Sequence, residues 1–300
     1  PKRAKTKSKE KKKMTNEKEE NIRIFDFDGA FDGRIAEHLK KTRSKRTAEE
    51  WEDVIPTLYK QFGDTVIGAI GCSPNEYYHR MSAERIAQEV KAHFSQNVPI
   101  DGFLRAALEE EKNREVVYSL LRGTADEATL AVELLADDKA AYDEYIRLLL
   151  TSPSEELCEN IADILKADAD AVATRLVGAC PNATPKTRQQ IADILCQAVI
   201  LQEEIYAFLL EEFTNAVAGE VGAAAERLAR YGDERALPYI KEKAEAATVD
   251  YLDWRELKNA AEALGGSVSE RDFSSDKEYR ALRLAEEKQR EEREKQENKR

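Results

Sequence analysis

Apolar residues recur three and four positions apart along most of the chain, the period of helices with one buried face. Thr47 followed by Glu50 reads as a capping box, opening a helix through about Gln61. Ser82 is placed to cap a second helix, SAERIAQEVKAHF. Asp101 is placed to cap a third that runs towards Glu111, and Val116, Val117, Leu120 and Leu121 continue at helical spacing. From residue 127 onward, helices of ordinary length alternate with breaks at Asp137–Lys139, Ser152–Ser154, Pro181–Pro185 and Gly232–Asp233. Two short segments, NIRIFDF at 21–27 and TVIGAIGC at 65–72, are ambiguous between strand and helix. Nothing else alternates long enough for a half-buried strand, so the pattern predicts an all-α fold.

The second half repeats itself. IADIL stands at 161–165 and again at 191–195. Related segments stand at 131–135 (AVELL), 224–228 (AAERL) and 260–264 (AAEAL). A second apolar helix follows each of the first four, as in DEYIRLLL, AVATRLVGA, EEIYAFLLEEF and RALPYIKEKA. Helical pairs recurring every thirty-odd residues are the mark of an α-solenoid, because one pair buries only part of its apolar surface and stacking buries the rest.

The segment AAAERLARYGDERALPYIKEKA, residues 223–244, resembles the HEAT-like repeat family in its short bacterial form. Leu228, Gly232, Asp233, Ala236, Leu237 and Pro238 carry the likeness. Gly232 suits the left-handed residue that closes a helix, Asp233 suits the cap of the next, and Pro238 is tolerated near a helix start. The likeness is tight over these residues and looser over 127–266. It implies a right-handed solenoid of about five helix pairs preceded by a helical N-terminal region. It also implies a scaffold or interaction role, since few members of such families are enzymes.

Charge divides the chain further. Its net is −12, yet residues 1–20 are strongly basic, beginning PKRAKTKSKEKKK, and the body from 21 to 277 is correspondingly acidic. The tail has too little apolar surface to offset its ordering entropy and reads as disordered. The C-terminal run EYRALRLAEEKQREEREKQENKR lacks an apolar seam and reads as a solvated helix. The expected organisation is therefore a basic tail (1–20), a helical region (21–126), HEAT-like repeats (127–270) and a charged helical tail (271–300). No apolar run approaches the roughly 18 residues of a membrane span. The basic N-terminal residues lack the apolar stretch of a secretory signal peptide. Cys72, Cys158, Cys180 and Cys196 form no CxxC pair and read as reduced thiols of a cytoplasmic protein.

Several chemistries are weighed and set aside. IRIFDFDGA, with Asp26, Asp28 and a later GDT at 63–65, looks like the nucleophile motif of haloacid-dehalogenase-type phosphatases. That resemblance implies a Mg²⁺-dependent nucleophile at Asp26 and an acid/base at Asp28. It also demands a parallel sheet of βαβ units, for which the chain has neither spacing nor pattern. The same stretch fails as an EF-hand because Phe31 stands where glycine is required. His38, His79 and His93 all precede the repeats, so no His–Glu metal pairs stand on successive repeat helices. Cys72 and His79 are seven residues apart, which reads as chance proximity rather than a dyad. No phosphate-cradling glycine motif occurs, and no cofactor or metal is expected.

On the second helices, Tyr145, Arg175, Tyr206 and Tyr239 lie ten or eleven residues after the closing leucines Leu135, Leu165, Leu195 and Leu228. Tyr and Arg dominate binding hot spots, so one reading makes these four a partner groove. The competing reading packs the tyrosines between repeats with their hydroxyls at the edge. The function expected is a non-catalytic scaffold or adaptor that holds a protein or peptide, of basic character, along the concave face. One alternative is an enzyme with a phosphatase-like site in residues 21–100. Another is a nucleic-acid-associated protein that uses its basic tail, since the body has the wrong sign for phosphate.

Overall fold

The structure, a computed structural model, describes residues 22–42, 47–136 and 138–297; the basic tail and its expected disorder lie outside the described residues. Those residues form α-helices joined by turns and short 3₁₀ segments, with no β-strand among them. The all-α expectation holds. None of the described helices is long and apolar enough to cross a membrane. The chain divides into two compact units between Ala136 and Asp137, so the AVELL segment falls in the first and the other four in the second.

The first unit contains α1 (Phe27–Thr42), α2 (Ala48–Gly63), α3 (Pro74–His79), α4 (Ala83–Ser95), α5 (Gly102–Leu108), α6 (Arg114–Leu120) and α7 (Ala125–Leu135). The caps fall where side-chain chemistry placed them. Thr47 and Glu50 form a reciprocal capping box, Ser82 accepts from Arg85 N, and Asp101 accepts from Phe103 N and Leu104 N. The helix expected to run on towards Glu111 stops at Leu108 instead. Buried Asn113 donates from Nδ2 to the Ala107 carbonyl at 2.7 Å, ending α5, and the chain re-enters helix at Arg114. Neither ambiguous segment is a strand. Residues 22–26 lead into α1, and 65–72 are turns closed by Ile67 N donating to the Cys72 carbonyl. The core here is aromatic: Phe27 meets Tyr77, Tyr78 and Phe103 edge-on, and Tyr59 stacks on Phe103 at 4.9 Å.

The second unit contains α8 (Tyr142–Thr151), α9 (Glu155–Lys166), α10 (Ala169–Ala179), α11 (Pro185–Leu195), α12 (Glu203–Asn215), α13 (Val221–Tyr231), α14 (Leu237–Glu245), α15 (Tyr251–Ala263) and α16 (Lys277–Glu297). Two rows arise. In the first, α9 packs on α11, α11 meets α13, and α13 packs on α15. In the second, α8 meets α10 and α10 meets α12. Ile161, Leu165, Ile191 and Leu195 are fully buried. A buried aliphatic side chain contributes about 1.5–3 kcal/mol over an exposed one, so the repeated IADIL is a repeated core. Gly232 takes φ 82°, the left-handed closure of α13, and Asp233 accepts from Arg235 N to start the next turn.

Polar ties also follow the repeat. Lys186 pairs with Glu155, Arg175 with Asp143, Arg227 with Asp193 and Arg235 with Glu203, each across 31 to 34 residues. Among the breaks not foreseen is the one where α11 ends at Leu195 and the chain runs irregularly to Gln202 before α12.

Candidate functional site

The register of the second-row helices decides which side chains they turn to solvent. Asp143, Arg175, Ala207 and Tyr239 are all exposed at a constant interval of 32 residues. The first three stand on the second-row helices α8, α10 and α12, and the last on α14, which Arg235, just ahead of it, links to Glu203 and Tyr206 of α12. The expected row of Tyr145, Arg175, Tyr206 and Tyr239 does not share a face. Tyr145 is 0% exposed and belongs to the core, with its ring 6.1 Å from Tyr142. Tyr206 is 7% exposed beneath Arg235, whose Cζ lies 4.1 Å from the ring centroid. Arg175 and Tyr239 point to solvent, Tyr239 at 47% exposure. The cause is geometric. Successive helical residues turn about 100°, so an offset of one or two residues moves a side chain to another face. Counting from a first-helix leucine crosses one break, and these breaks differ in length; counting from one second helix to the next spans a whole helix pair, and that span stays at 32 residues.

Arg175 donates from Nη1 to Asp143 Oδ1 at 2.7 Å, with its Cζ 5.9 Å from the Tyr142 ring. Arg235 repeats the arrangement on Tyr206 and Glu203 and also grips Asp233. Those bonds from Arg235 hold the Asp233 carboxyl below its ordinary range. Burial raises the Tyr206 phenol, with nearby Tyr239 and Asp233 adding to the shift. Along α12 runs an open groove of about 380 Å³ lined by Glu203, Tyr206, Ala207, Leu210, Glu211, Thr214 and Asn215. Of the α12 carboxylates, Glu203 is met by Arg235, while Glu211 and Glu212 share Arg188. The face therefore keeps a negative surplus.

The first row offers a groove of different character. It measures about 420 Å³ and is lined in part by Lys166, Lys186, Gln189, Gln190, Asp193 and Arg227. Its cations are already matched: Lys166 to Asp163, Lys186 to Glu155 and Arg227 to Asp193. Matched surface pairs leave little net field for a charged ligand.

In the first unit, the Asp-x-Asp-Gly segment is a helix start. Asp26 Oδ1 accepts from Gly29 N at 2.8 Å, and Asp28 accepts from the Tyr59 hydroxyl at 3.2 Å. A Cβ at position 29 would stand 2.2 Å from Asp26 Oδ2, so a side chain there would push the Asp26 carboxylate aside. The parallel sheet on which the phosphatase-like alternative depends is absent from the described residues. His79 is exposed on Glu110, whereas the Cys72 thiol is buried. A buried polar group deeper in the unit escaped the sequence reading as a set. Tyr78 donates to Asp101 Oδ2, Glu89 pairs with Arg85, and His93 Nδ1 meets the Pro99 carbonyl while its Nε2 is buried without a partner. Burial raises both Asp101 and Glu89. Asp101 is committed to capping α5, so the arrangement is structural.

All four cysteines are buried free thiols, and burial pushes Cys180 up to about 11. Comparisons with protein-family models, with curated proteins and with solved structures find no match to this chain.

Proposed function

We propose that the chain is a non-catalytic scaffold of HEAT-like helix pairs, stacked as a right-handed solenoid, that holds a protein or peptide partner along its second-row face. The observation that carries this reading is the exposed row at a constant 32-residue interval, beside an open groove on α12 with surplus negative charge. A repeating exposed row supplies evenly spaced contacts for an extended or helical segment, which suits a binding surface better than a reaction centre. The carboxylates of α12 favour a partner with basic character and repel nucleic-acid phosphates. Four unpaired thiols accord with a reducing compartment such as the cytoplasm.

The test is affinity purification of the full chain from cells that express it, beside the Leu210→Glu variant, with partners identified by mass spectrometry. A stoichiometric partner retained by the wild type and lost by the variant, at equal melting temperature, supports the scaffold. Retention of every partner by the variant removes the α12 groove from the site. Turnover of a substrate by the purified chain would remove the non-catalytic reading itself.

A further inference from the structure

The break between α11 and α12 holds three adjacent exposed large apolar residues, among them Val199, the most exposed of those described. Val199, Ile200 and Leu201 are consecutive and are 85%, 60% and 57% exposed. Three adjacent solvent-facing apolar residues are costly in a soluble chain unless something covers them. They are not a slack loop. The Asp170 carboxylate accepts from Val199 N at 3.1 Å through Oδ2 and from Ile200 N at 3.0 Å through Oδ1. The Tyr231 hydroxyl accepts from Gln202 N and donates to the Gln202 carbonyl. Two neighbouring helices thus clamp the backbone while all three side chains face water. The ordering entropy is already spent before any partner arrives, which is how a surface is prepared for binding.

Charge selects what covers it. The loop leads directly into α12, whose first residue Glu203 lines the acidic groove. Between Gln189 and Ala225 the chain carries Asp193, Glu203, Glu204, Glu211, Glu212 and Glu220, and no Lys, Arg or His. Arg227, Arg235 and Arg188, outside that stretch, answer Asp193, Glu203 and one charge of the Glu211/Glu212 couple, so the surplus is that of Glu204, Glu220 and the other. A second copy of the chain would set these carboxylates against their own kind. An anionic lipid surface would be repelled in the same way.

We propose that the Val199–Leu201 edge, together with α12, docks an amphipathic helix of a partner polypeptide whose apolar stripe is bordered by Lys or Arg. This rests on the scaffold reading and names the chemistry of its partner. The 13 residues of α12 span about 20 Å, which an incoming helix of similar length would match turn for turn.

The experiment uses the full chain and three synthetic peptides of about 18 residues, followed by fluorescence anisotropy. One peptide is a Leu/Lys amphipathic helix, one a Leu/Glu helix of the same apolar face, and one a Ser/Lys peptide without that face. The Leu/Lys peptide is expected to bind at least about tenfold more tightly than either control. The double substitution Ile200→Ser with Leu201→Ser is expected to remove that margin and leave thermal unfolding unchanged, since both side chains already face water. Equal binding of the three peptides, no binding of the Leu/Lys peptide, or binding indifferent to the double substitution overturns the proposal. So does concentration-dependent self-association, or sedimentation with phosphatidylcholine vesicles, that the double substitution abolishes; these would assign the edge to a second copy or to lipid. A native partner lost with Leu210→Glu but kept with the loop substitutions would sink the edge alone and leave the scaffold reading standing.

Discussion

Arg235 lies 4.1 Å above the ring of Tyr206 and ties it to Glu203 and Asp233 at once. The tyrosine is thereby a foundation of the outward face rather than a contact upon it. Tyr206→Ala is therefore expected to destabilise the second unit by about 3 kcal/mol, the scale of losing a large buried side chain. Arg235→Ala should cost less, because its charge pairs are exposed and screened. Chemical denaturation of the two variants checks the order. A larger loss in Arg235→Ala would mean that the ion pairs, not the ring, hold the junction.

The fully buried Leu165 and Leu195 occupy equivalent positions in consecutive first-row helices. Each Leu→Ala replacement should cost about 2–5 kcal/mol through lost transfer energy and the cavity left behind. The pair touches neighbouring members of one row, so the double variant is a measure of coupling along it. Wild-type melting in either single variant would contradict the burial on which the row is built.

Asp253 reaches from α15 to the start of α13, where its Oδ2 accepts from Gly219 N at 2.9 Å and its Oδ1 from Gly222 N at 3.0 Å. Helix α13 has no acidic residue of its own in its first turn and no side-chain cap at Glu220. A carboxylate borrowed from the next helix answers both needs. Asp253→Ala should cost about 1–3 kcal/mol by leaving buried amides unmet, with Asp253→Asn recovering part of it. Amide hydrogen exchange at Gly222 should quicken in the Ala variant. Unchanged protection there would assign the residue no capping role.

Much of this was legible before any coordinates. Thr47, Ser82 and Asp101 cap the helices that their side chains imply, because capping is decided by residues within one turn. The repeated IADIL is buried twice over because one pattern met one environment. The illegible parts depend on the third dimension. Tyr145 and Tyr206 fell off the expected row because the linking breaks differ in length, while Asp143, Arg175, Ala207 and Tyr239 keep the interval of 32 that was open to counting. Asp26 shows a second limit: an acidic residue ahead of glycine starts a helix here and a catalytic loop elsewhere, and only its neighbours decide. Val199, Ile200 and Leu201 show a third. An apolar run reads as core, and only the clamps from Asp170 and Tyr231 turn it outward; its signal was its position between Cys196 and the acidic start of α12.

Two aspartates should report opposite responses to acid. Burial raises the Asp101 carboxyl, so the folded chain holds a proton there more readily than the unfolded chain. Its contribution is greatest below the unfolded value near 4 and is lost as pH rises through the folded value. Asp233 is the reverse. Hydrogen bonds from Arg235 lower it, so its contribution is present above the unfolded value and is lost as pH falls through the lower folded one. The advantage of wild type over Asp101→Asn should therefore grow as pH falls from neutrality towards 4. The advantage over Asp233→Asn should be full at neutrality and shrink only below about pH 5. Melting temperatures of the three proteins across that range give both slopes in one series. Parallel slopes for the two variants would mean that burial at Asp101 and pairing at Asp233 do not set their charges as the contacts indicate.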